Sequence, residues 1–186
     1  MPGKLQTIFD LRRQLWRSVH FTPDAHQNEK LDARSLAATV PKGSLILADL
    51  GYFGFAWFDW ITDEGYFWVS RLRGGTSYTT IHCFYSEGTT FDGLVWLGAH
   101  RADRAAHAVR LVSFQVGKQS YRYITNVLDP SQLSPLALAK LYARRWDIEM
   151  AFQLIKQHLG LHLLWSAKPV VVQQQVLAVF IISQVL

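Results

Sequence analysis

Apolar and polar positions alternate along the first part of the chain in a way that is typical of short strands. Leu5–Leu11 alternates with a period of two, and after a polar turn Leu15–Phe21 does so again, which together predict a hairpin. Leu31–Ala38 fits a short helix. Ser44–Asp49 is a continuous apolar run closed by a carboxylate, and such runs are typical of buried central strands. Phe53–Thr62 is predicted to be helical.

Between Tyr66 and Asp129 the pattern changes. Short segments rich in Val, Tyr, Thr and Phe are separated by glycine-containing turns, which predicts an antiparallel β region of about 60 residues. The predicted strands are Tyr66–Arg71, Tyr78–Phe84, Gly93–Leu97, Val109–Phe114 and Tyr121–Thr125. A β-rich stretch therefore lies between two regions that contain helices.

A long helix is predicted after this β-rich stretch. Ser134 is a good N-cap, Pro135 suits the first helical position, and nothing breaks the pattern before Leu159, where Gly160 supplies a C′ stop. The very apolar run Val170–Leu186 contains polar interruptions and is short for a membrane span. We therefore expect a buried helix there in preference to a transmembrane one.

Composition narrows the class of protein. The 186 residues suffice for one domain with a substantial core, and 49% apolar with 13% aromatic residues argues against disorder. A formal charge of +5 favours an anionic partner without proving one. Cys83 is the only cysteine, which excludes internal disulfides and a Cys-rich zinc site and suits a reducing cytoplasm. The N-terminus lacks the apolar core of a signal peptide.

The predicted long helix carries the candidate chemistry. Tyr142, Arg145, Glu149 and Lys156 are spaced so that, at about 100° per residue, they fall within an arc of roughly 60° on one face. A carboxylate can hold a divalent metal, while an arginine and a lysine can hold phosphates. The alternative is a solvated face on which Arg145 and Glu149 merely form an i,i+4 pair.

The residues beside this polar stripe favour a cleft. We expect apolar residues on both flanks, which indicates partial burial next to a core. One flank consists of Leu141, Ile148, Phe152, Ile155 and Leu159, and the other of Trp146, Met150 and Leu154.

Asp49 is the second candidate metal ligand. A carboxylate that closes an apolar strand and precedes a glycine-containing turn lies at the rim where α/β sheets place their chemistry. Two-metal phosphoryl-transfer sites need carboxylates from separate elements, and Asp49 with Glu149 would supply two. The alternative is that Asp49 only caps the helix that follows.

These residues resemble a known family. The pattern Tyr142-x2-Arg145-x3-Glu149-x6-Lys156 is identical in residues and spacing to the Y-R-E-K signature of DDE insertion-sequence transposases of the IS-four type. The block Leu-Ala-Asp49-Leu-Gly-Tyr-Phe looks like the region of the second catalytic Asp in that family. Residues 66–129 are similar to the β insertion that these enzymes carry before the catalytic Glu.

The resemblance implies an α/β fold with an RNase H-like mixed-sheet core, present here as a single domain over residues 1–186. It implies DNA transposition with two Mg²⁺ or Mn²⁺ ions, for which Asp49 and Glu149 would be metal-binding, catalytic carboxylates. Tyr142, Arg145 and Lys156 would contact phosphates of the transposon end. DNA is the implied partner, with a homodimer in a synaptic complex and no membrane. The resemblance also implies an aromatic residue of the insertion that stacks on a flipped base, for which Trp68 and Trp96 are candidates.

The chain departs from the family at the first catalytic Asp. No Asp-Gly-Ser or Asp-Gly-Thr occurs, and Asp10 lies on what resembles the second core strand, so we do not assign it that role. We expect an internal piece of a transposase, truncated at both ends and impaired in catalysis. The alternatives are a non-catalytic DNA-binding or oligomerising remnant and, as a minor option, a nuclease of the same superfold.

Overall fold

The computed structural model describes residues 4–22, 29–100, 102–160, 163, 165, 166 and 168–185. Along the chain the elements are β1 (Lys4–Asp10), β2 (Leu15–Thr22), α1 (Glu29–Ala37), β3 (Leu45–Ala48), a 3₁₀ turn (Leu50–Tyr52), α2 (Phe55–Asp63), β4 (Phe67–Arg71), β5 (Tyr78–Glu87), β6 (Thr90–Leu97), β7 (Val109–Val116), β8 (Gln119–Thr125), α3 (Pro135–Ala143), α4 (Trp146–His158) and α5 (Pro169–Ile182). They form two compact units, one of residues 1–40 with 144–186 and the other of residues 41–143.

The first unit is built on the predicted hairpin. Strands β1 and β2 pair antiparallel, and the turn between them places Gln14 at a positive φ of 57°. One side of the hairpin packs against α4 and α5, where the ring of Trp16 lies 4.8 Å from the rings of both Phe152 and Phe180. The core of this unit is completed by Ile155, Val172, Val176 and Val179, which are all buried.

The second unit is a six-stranded mixed sheet with helices on both faces. The strand order is β3-β4-β8-β7-β6-β5, with β3 and β4 parallel and the other neighbours antiparallel. Successive residues of a strand point to opposite faces. On β4, Trp68 stacks on Phe58 of α2 at 4.3 Å, while Val69 packs in the same buried cluster as Leu138 and Tyr142 of α3.

A buried ion pair joins the sheet to the segment before α3. The guanidinium of Arg110 on β7 is fully buried and donates Nε and Nη2 to the two carboxylate oxygens of Asp92 on β6, at 2.7 and 2.6 Å. Its Nη1 donates to the backbone carbonyl of Leu133 at 2.5 Å. The Arg110 side chain therefore links β7 to β6 and also holds the segment that leads into α3.

The predicted elements are confirmed with one important exception. Ser134 caps α3 through its Oγ, which accepts from the Ala137 amide at 3.2 Å, and Gly160 has the positive φ of 71° expected beyond α4. The long unbroken helix is wrong, however, because α3 ends at Ala143 and α4 begins at Trp146. The Asp147 amide bonds the carbonyl of Arg144 at 2.9 Å, an i→i−3 contact that interrupts the α-helical ladder.

Two expectations about burial also need correction. Strand β3 pairs only with β4 among the described strands and is half-exposed, with Leu45 38% exposed, so it lies at the edge of the sheet and is not a central strand. Helix α5 is buried on one side only. Its other side leaves Val170, Leu177 and Ile181 exposed. A continuous apolar run shows that a segment is hydrophobic, but it does not show how many neighbouring elements pack against that segment.

The mixed α/β class is confirmed by the six-stranded mixed sheet and its helices, as expected for a transposase domain with an RNase H-like core. In the described part of the chain, no helix combines the length and the apolar character needed to cross a membrane.

Replacing Asp92 by Ala is expected to destabilise the second unit strongly. The substitution leaves the fully buried Arg110 guanidinium without its carboxylate, and breaking a buried pair from one side costs about 3–5 kcal/mol. Urea unfolding followed by tryptophan fluorescence measures the change, because Trp68 lies in the same unit.

The matched control is Glu64→Ala, which removes an exposed ion pair with Lys42 in the same unit and is expected to shift the unfolding midpoint little. Equal effects of Asp92→Ala and Glu64→Ala would show that burial of the Arg110 pair is energetically unimportant.

Candidate functional site

Asp49 lies at the end of β3, as its position after the apolar run predicts. Its side chain is exposed and its carboxylate accepts a hydrogen bond from the Leu50 amide at 2.8 Å, which makes it the N-cap of the 3₁₀ turn. The capping role that was the structural alternative is therefore observed. Because a carboxylate has about four acceptor positions, capping and metal coordination are compatible.

Tyr142 lies beside the same strand end. It is 5% exposed, its ring is 5.1 Å from that of Tyr123, and its hydroxyl donates to the carbonyl of Ala48 at 3.4 Å. Burial raises the pKa of the neighbouring Tyr123 phenol. The contact to Ala48 is one residue from Asp49, so in this conformation Tyr142 supports the strand end and offers little surface to a phosphate.

Arg145 and Glu149 are brought together in the other unit. The Nη1 of Arg145 donates to Oε1 of Glu149 at 2.5 Å, with the arginine side chain 16% and the glutamate side chain 42% exposed. The guanidinium also lies 5.4 Å from the ring of Trp146. The i,i+4 pair is thus observed, and its cation is more buried than in an ordinary surface pair.

Glu149 and Lys156 face one open groove of about 690 Å³ between α4 and β1. The groove is lined by Leu5, Glu149, Phe152, Gln153, Lys156 and Gln157. A carboxylate, a cation and two amides thus share a space with two apolar side chains. Gln153 and Gln157 were not among the predicted site residues. Their spacing of four and eight residues from Glu149 nevertheless places them on neighbouring positions of one helix side.

The start of α4 is fastened to the hairpin turn of its own unit. The guanidinium of Arg144 bonds the carboxylate of Asp147 and the carbonyl of Leu11, and the amide nitrogen of Gln14 bonds the same two groups at 3.2 and 2.8 Å. The Arg144–Leu11 and Gln14–Asp147 contacts each join residues 133 positions apart in sequence. They place the first turn of α4, and with it Glu149, against the hairpin.

The expected apolar flanks of the polar stripe are correct on one side only. Ile155 is buried, with Phe152 and Leu159 packed against the same cluster. On the opposite flank Trp146, Met150 and Leu154 are 60%, 63% and 54% exposed. On α4, Glu149 and Lys156 are therefore bordered by a core on one side and by an exposed apolar surface on the other. The predicted stripe of four residues on one helix is wrong, because the helix is interrupted at residues 144–145 and Tyr142 lies on α3.

The two tryptophan candidates for base stacking differ in environment. Trp68 is 1% exposed, stacks on Phe58 and donates its Nε1 to Thr62, so it belongs to the core and is unsuited to contact a base. Trp96 is half-buried, donates its Nε1 to the carbonyl of Ala105 at 2.7 Å, and has the Arg104 guanidinium 5.6 Å from its ring. Of the two, only Trp96 retains accessible ring surface.

Asp10 has a local structural role. Its Oδ1 accepts the backbone amides of Arg12 and Arg13, both at 3.0 Å, and the second of these bonds is the main reason that the pKa of Asp10 is lowered. The carboxylate of Asp10 thus caps the hairpin turn.

Within the described ranges, no three or more His, Cys, Asp or Glu side chains are gathered as a metal site. Asp49 and Tyr142 belong to one unit, and Arg145, Glu149 and Lys156 to the other. The two candidate ligands, Asp49 and Glu149, suit a hard divalent cation, since both are carboxylates with exposed surface.

Comparison with known proteins identifies the family of the chain. The chain is 26% identical over 163 residues to "Putative transposase y4zB" of Sinorhizobium fredii (strain NBRC 101917 / NGR234), an alignment that covers 84% of this chain. The chain spans 44% of the length of that relative. The model of the transposase DDE domain family matches residues 3–185. Because that match covers nearly all of its residues, the chain belongs to the transposase DDE domain family.

Proposed function

We propose that this chain supplies the second and third carboxylates, and part of the DNA-binding surface, of a DNA transposase catalytic domain. Glu149 and Lys156 face the same groove, and this observation carries the proposal, because an acid beside a cation suits a bound phosphodiester. Asp49 at the end of β3 supplies the second carboxylate. Membership of the DDE family supports both assignments.

The cations of the signature have separate tasks in this proposal. Arg145 presents a planar fork that suits two phosphate oxygens, while Lys156 acts as a point charge farther along α4. Tyr142 remains a predicted DNA contact through the family signature. Its contact with the Ala48 carbonyl also supports a positioning role for the strand end that carries Asp49.

Asp49 and Glu149 would hold Mg²⁺ or Mn²⁺ through carboxylate oxygens. When bound, such ions activate the attacking hydroxyl and neutralise the charge that develops on the leaving oxygen. The 186 residues contain no Asp-Gly-Ser or Asp-Gly-Thr motif to supply the first carboxylate. We therefore propose that catalysis by these residues alone is impaired.

A non-catalytic DNA-binding or oligomerising remnant is the second candidate. It is favoured by the lack of a three-ligand cluster within the described residues. In either form the proposed partner is DNA, bound by a homodimer in the bacterial cytoplasm on the nucleoid. The two forms differ in whether Asp49 and Glu149 still bind metal.

Asp49→Asn and Glu149→Gln are each expected to weaken Mn²⁺ binding by about tenfold or more, since each removes a charged oxygen ligand. Isothermal titration calorimetry on the wild type and both variants measures the affinity. Glu64→Gln is the control, because Glu64 is a carboxylate already paired with Lys42 outside the proposed site. Wild-type affinity in both site variants would contradict the assignment and favour the remnant.

A strand-transfer assay tests the proposed impairment. Labelled duplex DNA is incubated with the 186 residues and Mg²⁺ or Mn²⁺, and no joined product is expected from the wild type. Product that disappears in Asp49→Ala and in Glu149→Ala would show that the two carboxylates suffice, and would contradict impairment while supporting transposition chemistry.

Lys156→Gln is expected to weaken DNA binding uniformly and to lower the slope of log K against log salt concentration by about 0.9, because one phosphate contact is lost. Fluorescence anisotropy with a labelled 30-base-pair duplex, titrated between about 50 and 300 mM KCl, gives the slope over the range where counterion release dominates. Lys168→Gln is the matched control, as Lys168 is an exposed lysine of the same unit outside the groove. Equal slopes for Lys156→Gln and the wild type would count against the groove as the DNA-binding surface.

A further inference from the structure

We propose that Gln153 and Gln157 are specificity-determining residues, which read the bases of the nucleotides next to the phosphodiester that Lys156 would hold beside Glu149. This inference rests on the proposed function of the groove. It adds a sequence preference, with adenine as the favoured base, to a site otherwise described by its charges.

The helix geometry places the two amides beside the charged groups. On an α-helix, residues four apart are rotated by about 40°, so Glu149, Gln153 and Gln157 follow one side of α4 within an arc of about 80°. Lys156 lies about 20° from Glu149 on the other side of that line. All four side chains line the same groove.

The two amides are not used by the fold. Both side chains are exposed, and neither forms a hydrogen bond with any residue in the described part of the chain. Among the other glutamines of the same unit, the exposed Gln173 and Gln174 also form no hydrogen bond within the described residues, but they do not line the groove. Three further glutamines are used by the fold. Gln175 bonds both Leu163 and Trp165 through its amide, and Gln14 and Gln184 each donate to backbone carbonyls. Gln153 and Gln157 therefore keep donor and acceptor capacity directed to the groove.

The neutral charge of Gln153 and Gln157 favours bases over phosphates as the ligands of these two residues. Arg145 and Lys156 already provide the positive charge that phosphates require, whereas a neutral amide neutralises none. A glutamine amide matches the N6 donor and N7 acceptor of adenine in a bidentate pair. Two such amides in the same groove as Lys156, with Arg145 one turn before Glu149, are suited to read bases while the cations hold the backbone.

The length of α4 between Glu149 and Gln157 is consistent with contacts to both bases and phosphates. From Glu149 to Gln157 the helix rises about 12 Å, at 1.5 Å per residue. Each nucleotide of a duplex advances about 3.4 Å along its axis, so this stretch of α4 spans about three to four nucleotides. Gln153 lies near the middle of the span and Gln157 at its end. The two amides are thus expected to contact nucleotides within a few positions of the phosphodiester at Glu149.

Selection from a pool of randomised 30-base-pair duplexes tests the inference. The wild-type chain is expected to enrich sequences with adenine at one or two fixed positions. Gln153→Ala and Gln157→Ala are each expected to lose that preference by about 5- to 100-fold when Kd is compared for the enriched duplex and its base-substituted form. Binding of the base-substituted duplex should remain unchanged. Alanine favours helix, so both variants are expected to fold, which circular dichroism verifies.

Gln174→Ala on α5 is the matched control, an exposed glutamine of the same unit that does not line the groove, and it should keep the wild-type preference. Three results would overturn the inference and leave the proposed function intact. These are enrichment without adenine, a preference that survives both groove variants, and an equal loss of affinity on every duplex, which would indicate backbone contacts. No salt-dependent binding by the wild type would instead overturn the proposed function.

Discussion

The bidentate pair between Arg110 and Asp92 is the constraint on which the larger unit depends. Two charges are removed from water there, and their desolvation is offset only because the guanidinium is satisfied on three sides, by both oxygens of Asp92 and by the Leu133 carbonyl. An apolar pair could fill the same volume, but it would not bond the Leu133 backbone. The ion pair therefore specifies where the chain leaves the sheet toward α3.

The effect of this ion pair reaches Asp49 in the candidate site. Leu133 precedes Ser134, whose hydroxyl caps α3, and α3 carries Tyr142 to the carbonyl of Ala48. The next residue is Asp49. Single hydrogen bonds, the body of α3 and adjacent residues of the chain make up these steps, so the carboxylate at the strand end is positioned by a continuous series of links that begins at a buried cation on β7. This arrangement gives the tyrosine of the signature a structural reason to be present, beside its predicted contact with DNA.

The sequence predicted what local periodicity determines and failed where distant contacts decide. Nearly all strands and helices were predictable because the alternation and the caps, such as Ser134 and Gly160, are local. The break between α3 and α4 was not, since residues 144–145 contain neither Gly nor Pro and the Arg144 side chain is held by Leu11, far away in sequence. The place of Asp49 at a strand end followed from the apolar run before it, and the shared helix side of Glu149 and Lys156 followed from their spacing. Gln153 and Gln157 carried no signal, because an exposed amide resembles any other polar surface residue.

The pairing of Arg145 with Glu149 changes how these two signature residues are interpreted. A carboxylate that binds a divalent cation and one that bonds a guanidinium have the same requirement, namely a positive charge next to their oxygens. Because Arg145 is only 16% exposed, its pairing holds Glu149 in one orientation at the wall of the groove. A metal that arrives at Glu149 must share its oxygens with Arg145 or displace it, and a displaced guanidinium would be available to a phosphate. In the proposed site the arginine would therefore both preorganise the carboxylate and compete with a metal for it, so that the Arg145–Glu149 ion pair would couple metal binding to phosphate binding.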